Sequence, residues 1–217
     1  MSKIFVNSIP KSGSHLLYHI LGFSKYETTS QSMSGFSVFK GAQNIIKFKE
    51  GWYAGHVPYI PKLHSKKVRI FLRRHPGDII VSWMYFLKTV GNYNKRSPFN
   101  FPLLADQGQD VHEASDKIDF LLTHTKPLME MFIGWMDEDI HKLRYEDLLT
   151  IPRKVLAPIA EETGISLDVM VDRSKFRGGM TYRAGRIGDW KDEFKKHHVE
   201  KFKSNFGEIM DAFRYSF

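Results

Sequence analysis

Apolar and polar positions change rhythm several times along this chain. Ile4, Phe5 and Val6 form an apolar run that stops at Asn7 and reads as a short buried strand. Leu16, Leu17, Ile20 and Leu21 then recur at helical spacing on one face. A second alternation follows, in which Val68 to Leu72 predicts a strand and Asp78 to Val90 predicts a helix rich in Ile, Val, Trp, Met and Phe. The turn between them is Arg73-Arg74-His75-Pro76-Gly77. A third unit has a helix from Lys117 to Met136, which Pro127 can kink or break, then a strand around Ile140 to Arg144 and Tyr145-Glu146-Asp147-Leu148. Val199, Phe202, Phe206, Ile209, Met210 and Phe213 are spaced for an amphipathic helix that closes the chain. This alternation predicts an α/β fold of three layers, with a central parallel sheet flanked by helices.

Between Gly91 and Ser115 the residues are rich in Gly, Pro, Asn and Asp, with isolated Phe99, Phe101, Leu103 and Leu104. Such a long loop inside a compact domain reads as a lid on the substrate side of a cleft, or as a segment without a role. A length of 217 residues with 42% hydrophobic content suits one domain over residues 1–217. The apolar run before Asn7 is too short for a signal peptide or a membrane span, so a soluble, cytoplasmic protein is expected. Cysteine is absent, which excludes a disulfide framework, a thiolate metal site and a Cys nucleophile, and fits a reducing compartment.

Charge narrows the partners further. The net charge is +8, and the stretch from Arg173 to Phe217 holds 11 basic against 6 acidic residues. Anionic ligands are therefore expected: nucleotide, polyanionic sugar, nucleic acid or membrane. The segment Ile9-Pro10-Lys11-Ser12-Gly13-Ser14-His15-Leu16 lies between the first strand and the first helix. Backbone N–H groups at the start of a helix favour an anion, and Lys11 adds a full mobile charge. The stretch is not a Walker A loop, because Lys11 precedes the only Gly instead of following the glycines. The ten His are scattered, none falls in a His-Glu-x-x-His pattern and Cys is absent, so no metal is expected. His197 and His198, in a basic stretch, read as solvent-facing.

Four segments, in this order along the chain, resemble the cytosolic type of sulfotransferase, and the match spans Ile4 to the C-terminus. That family moves a sulfuryl group from 3′-phosphoadenosine 5′-phosphosulfate (PAPS) to a hydroxyl or amine and releases 3′-phosphoadenosine 5′-phosphate (PAP). Pro10-Lys11-Ser12-Gly13-Ser14, with His15 next, is similar to the family's loop for the 5′-phosphosulfate. Gly55-His56-Val57-Pro58 resembles the segment that carries the catalytic base. Arg74 to Ser82 resembles the 3′-phosphate segment, in which an Arg and a Ser eight residues later hold that phosphate. Arg183-Ala184-Gly185-Arg186-Ile187-Gly188-Asp189-Trp190-Lys191 is similar to the family's Arg-Lys-Gly-x-x-Gly-Asp-Trp-Lys. Tyr145, Ser174 and Phe176 match positions near the adenine.

The resemblance thus implies a P-loop-like sulfotransferase fold with His56, Lys11 and Ser82 as catalytic residues. It implies PAPS as co-substrate without a metal, and a small-molecule or glycan acceptor, with no nucleic-acid partner. Each residue also has a plainer reading. Ser82 can bond its own i−4 carbonyl, Arg74 can be a solvated charge, Tyr145 can be packing, and His56 can be a loop or core histidine. An ordinary imidazole near pKa ~6.5 would accept a proton at neutral pH without deep burial.

The chain departs from the family pattern at several points. Leu16 stands where a Trp usually stacks on adenine, His15 where the loop has a second Thr, and Ala184 where a Lys contacts phosphate. Lys195 and Lys196 replace the small residues of the family's dimer signature, leaving Lys191 and Glu200 at its ends, so a monomer or a dimer through another interface is expected. Phe36, Phe39, Phe48, Trp52 and Tyr53 suggest an apolar wall or ordinary core. The competing functions are a P-loop-like kinase using ATP and magnesium, and a non-catalytic nucleic-acid-binding protein.

Overall fold

The computed structural model describes residues 4–22, 46–47, 52–59, 68–91, 114–177 and 185–217. In chain order the elements are β1 (Ile4–Ser8), α1 (Ser14–Ile20), β2 (Ile46–Lys47), β3 (Trp52–Gly55), β4 (Val68–Arg73) and α2 (Pro76–Gly91). After these come α3 (Lys117–His124), α4 (Lys126–Glu130), a 3-10 turn (Ile133–Met136), β5 (His141–Arg144) and α5 (Tyr145–Thr150). The chain closes with α6 (Pro152–Thr163), α7 (Leu167–Arg173), α8 (Trp190–Glu193) and α9 (Lys196–Ala212). They group into two compact units, Met1–Arg74 with Asp137–Tyr182, and His75–Met136 with Arg183–Phe217.

The first unit holds the sheet, in the order β2-β3-β1-β4-β5. β1 lies parallel to β3 and β4, and β5 is parallel to β4, as the strand and helix alternation predicts. The edge strand β2 is antiparallel to β3, an addition that its two residues do not signal in sequence. Ile4, Val6, Ile70, Leu72 and Leu143 line one face and join a core with Leu17 and Ile20 of α1, Leu148 of α5, Leu156 and Ile159 of α6, and Met170 of α7. Phe5 and Phe71, on the other face by strand alternation, are buried too. Gly164 ends α6 in the left-handed conformation at φ 73°, the usual device for terminating a helix.

The second unit is helical. α2 starts at Pro76, two residues earlier than its apolar pattern suggests, since proline's fixed φ suits the first turn of a helix. The single helix expected over Lys117–Met136 is instead α3, α4 and the 3-10 turn, with the break at Thr125. Pro127 has no N–H to continue the ladder and sits in the first turn of the restarted helix. Asp116 caps α3, its Oδ1 accepting from the backbone N–H groups of Ile118 and Asp119 at 3.1 and 3.0 Å. α9 runs from Lys196, and its Phe202 ring contacts Phe194, Trp190 and Phe206.

The solvent-facing expectation for His198 is wrong, whereas His197 is exposed. His198 is 2% exposed, accepts the Lys195 backbone N–H at Nδ1 (3.1 Å), and therefore donates from Nε2 to Asp116 Oδ2 (2.8 Å). Asp116, His197 and His198 bring possible ligand atoms within 4.8 Å of one another. With Nδ1 of His198 taken by an N–H group, Nε2 holds the proton and forms a hydrogen bond in place of a coordinate bond. No described helix is long and apolar enough to cross a membrane.

Candidate functional site

Lys11, Ser12, Gly13, Ser14, His15, His56 and Arg74 lie at the ends of β1, β3 and β4 in the first unit. Between β1 and α1 the chain turns with Lys11 at φ 70° and Gly13 at φ 94°, both left-handed. The Ser12 N–H donates to the Ile9 carbonyl, and the N–H groups of Leu16 and Leu17 both donate to the Gly13 carbonyl. A left-handed lysine is uncommon and costs energy that the surrounding fold must supply, which fits a loop shaped for a ligand. Ser14, the first residue of α1, is buried, and His15 beside it is half-buried. The Ser12 hydroxyl is fully buried and has no hydrogen-bond partner among the described residues. A buried hydroxyl left without a partner is expensive, and a phosphate or sulfate oxygen would satisfy it.

Basic groups accumulate here. Burial, then the Arg74 guanidinium, lowers the Lys11 ammonium to about 7. Burial, then Lys11, lowers His15. Arg74, 7% exposed, sits over the Tyr145 ring, with its guanidinium carbon 4.6 Å from the ring centroid. The Tyr145 ring in turn occupies the space where a side chain at Gly13 would go. Lys11 and His15, each lowered by burial and then by a neighbouring cation, mark a place where an anion is stabilising.

His56 follows β3, as its predicted strand requires, because β3 pairs with β1 through Gly55 and Asn7. Its Nδ1 lies 2.8 Å from the Ser8 carbonyl oxygen and 3.1 Å from Ser8 Oγ. A carbonyl only accepts, so Nδ1 carries the proton and Nε2 carries the lone pair. The half-buried imidazole is not the ordinary group assumed from sequence. Burial takes it down to about 4, opposed by the Ser8 bond and assisted by His15 and Lys11. Neutral imidazole is therefore the resting form at physiological pH.

The remaining predicted residues scatter in role. Ser174 donates its hydroxyl to the Val171 carbonyl (2.6 Å) at the end of α7, so it acts as a helix cap. Phe176 stacks on His19, with centroids 4.1 Å apart. Ser82 is half-buried on α2, in the second unit, one turn beyond Asp78. Gly185 is described, at φ 61°. Arg183 and Ala184 lie outside the described residues, as do 92–113 of the expected lid, Phe36, Phe39 and Phe48, and the side chains of Trp52 and Tyr53.

Sequence reasoning missed Asp78 and its neighbours in the second unit. Asp78, 1% exposed, accepts the Gly188 N–H at Oδ2 (2.8 Å) and the Trp190 N–H at Oδ1 (3.1 Å). His75 stacks flat on Trp190 at 5.1 Å, and a Cβ at Gly77 would come within 2.7 Å of Trp190 Cγ. The Gly185–Trp190 segment is thus fastened to the start of α2. The signal was the acid in the first turn of a helix, which reads equally well as a dipole partner.

Comparison with known proteins agrees with the α/β fold. A model of the sulfotransferase domain matches residues 1–178. Among solved structures, mouse sulfotransferase SULT7A1 complexed with PAP is similar over 98% of this chain and 87% of its own, at TM-score 0.66 and 18% identity. Retinol dehydratase in complex with androsterone and inactive cofactor PAP is similar over 96% of this chain and 80% of its own, at TM-score 0.62 and 15% identity. Retinol dehydratase in a complex with retinol and PAP gives 0.63 and 15%, over 96% and 81%. No curated protein sequence matches. The family model covers most of the chain, including the basic loop and the His56 segment, and the chain accordingly belongs to the sulfotransferase family.

Proposed function

We propose that this sulfotransferase uses PAPS as donor, a hydroxyl or amine of a small molecule or glycan as acceptor, and no metal. The observation that carries the reading is the geometry of His56, whose Nδ1–H is tied to the Ser8 carbonyl beside Lys11, leaving an Nε2 lone pair to accept a proton. Support for the donor comes from the family and from solved relatives holding PAP. PAPS supplies a sulfuryl group on an activated phosphosulfate linkage. His56 Nε2 removes the acceptor proton as the acceptor oxygen or nitrogen bonds to sulfur in line with the departing phosphate. The bond from sulfur to the bridging oxygen breaks, and PAP leaves with that oxygen.

Lys11 and the buried Ser12 hydroxyl stabilise charge on the departing 5′-phosphate. The left-handed turn at Gly13 lets the backbone come close to it, and Ser14 and His15 extend the loop. Arg74, held over Tyr145, is assigned to the 3′-phosphate, as are Ser82, Arg183 and Gly185 through the family pattern, with Ala184 lacking the usual Lys. The orphaned Ser12 hydroxyl, and Lys11 held beside Arg74, fit a polyanionic nucleotide.

Thermal stabilisation tests the donor directly, because a ligand that binds only the native state raises its midpoint. PAP is expected to stabilise the protein at matched ionic strength, with AMP weaker. Stabilisation by ATP with magnesium and none by PAP overturns the reading in favour of a kinase. Transfer from PAPS should persist in a chelator, and His56→Ala should lower kcat by roughly 10²–10⁴-fold while PAP binding holds.

A further inference from the structure

β1 ends in two buried polar residues whose side chains both turn toward the His56 segment. Asn7 is 1% exposed, and its amide makes a closed pair with Val57, donating from Nδ2 to the Val57 carbonyl (2.9 Å) and accepting the Val57 N–H at Oδ1 (2.8 Å). The β1–β3 ladder reaches only to the pairing of Asn7 with Gly55. A side chain therefore takes over from backbone pairing at the residue after His56 and fixes where that residue leaves the sheet. Ser8, fully buried, then meets the ring itself. Its carbonyl accepts the Nδ1–H, and its Oγ lies 3.1 Å from the same nitrogen. Because Nδ1 carries the proton, Ser8 Oγ can only be an acceptor toward it. The Tyr18 side chain, itself buried, hydrogen-bonds Ser8 and holds that hydroxyl in turn.

We propose that Ser8, with Asn7 fixing the backbone and Tyr18 fixing the hydroxyl, is the positioning residue of His56, setting its tautomer and the direction of Nε2. This rests on His56 being the base. The backbone carbonyl alone specifies which nitrogen is protonated. Two acceptors on one N–H restrain the ring against tilting, and small errors in aim are costly in proton transfer.

The test compares Ser8→Ala and Asn7→Asp with the parent enzyme, reading kcat, KM for PAPS, PAP affinity and the ¹⁵N shifts of the His56 ring. Ser8→Ala is expected to lower kcat about tenfold, leave PAP affinity within about twofold, and broaden the His56 ring signals while the retained carbonyl keeps Nδ1 protonated. Asn7→Asp keeps the acceptor for Val57 N–H and loses the donor, so kcat falls and the acid limb of the pH profile moves up toward the new carboxylate. Tyr18→Phe, which keeps the buried ring, should reproduce a smaller part of the Ser8→Ala loss. In a His56→Ala background, Ser8→Ala should cost nothing more. Unchanged ring signals and kcat in Ser8→Ala, or an equal loss in the His56→Ala background, overturns the proposal. Full transfer by His56→Ala overturns the base assignment instead, and the ring signals in Ser8→Ala still report whether Ser8 orients the imidazole.

Discussion

The Tyr145 ring fills the space a side chain at Gly13 would need, since a Cβ built there lies 2.6 Å from Tyr145 Cε2. Gly13 is also at φ 94°, where any L side chain is strained. The loop thus depends on a glycine for two separate reasons, one of backbone and one of contact. Gly13→Ala should destabilise the protein by about 1–3 kcal/mol and displace Tyr145 from beneath Arg74. Thermal melts with and without PAP check this. A melt and a PAP shift equal to those of the parent would show that the ring gives way at no cost.

His56 makes a pH prediction whose sign is fixed by the direction of its shift. Its folded value of about 4 lies below the ordinary ~6.5 of the unfolded chain. Between those values the unfolded state binds more protons, so the contribution to stability is complete above ~6.5 and is lost as pH falls through the window to about 4. His56→Gln should flatten this part of the acid limb, with a Tm drop from pH 7 to pH 5 smaller than the parent's by roughly 2–4 °C. The kcat/KM profile of the parent should likewise stay level below pH 6.5 and fall only near 4, because it reports the free enzyme.

Lys11 ionises near 7 before any anion arrives, through burial and then Arg74. A phosphate placed beside it favours the ammonium, so PAP binding at pH 8 should draw close to one proton from solvent. Calorimetry in buffers of different ionisation heat measures that uptake. Lys11→Met should abolish most of it and weaken transfer by about 100-fold. Uptake that persists undiminished in Lys11→Met would assign the proton to another group, such as His15.

Asp78 carries two N–H groups of the Gly185–Trp190 segment. Replacement by Ala leaves the Gly188 and Trp190 donors without their acceptor, at a cost of about 1–3 kcal/mol. Trp190 fluorescence and the melting midpoint should both change in Asp78→Ala. A variant with the parent's emission and midpoint would show that water replaces the carboxylate.

The alternation of strands and helices, the loop after β1 and the candidate base after β3 are all legible in the order of residues alone. These features are local: an apolar run, a helical spacing, and a Lys-Ser-Gly between them are contiguous in the chain. The break at Thr125 was half legible, since Pro127 announces an interruption without saying where the helix restarts. The rest depends on contacts made between distant parts of the folded chain. His198 looked solvent-facing because its neighbours are basic, yet a carboxylate 82 positions away buries it. Asp78 meets N–H groups 110 and 112 positions along the chain, and no local pattern names an acceptor's distant donor. His56 shows the limit most clearly. Its place follows from the strand before it, but its Nδ1 proton is set by Ser8, 48 positions earlier, and its ionisation is depressed, against that bond, by burial that exists only once the sheet has formed.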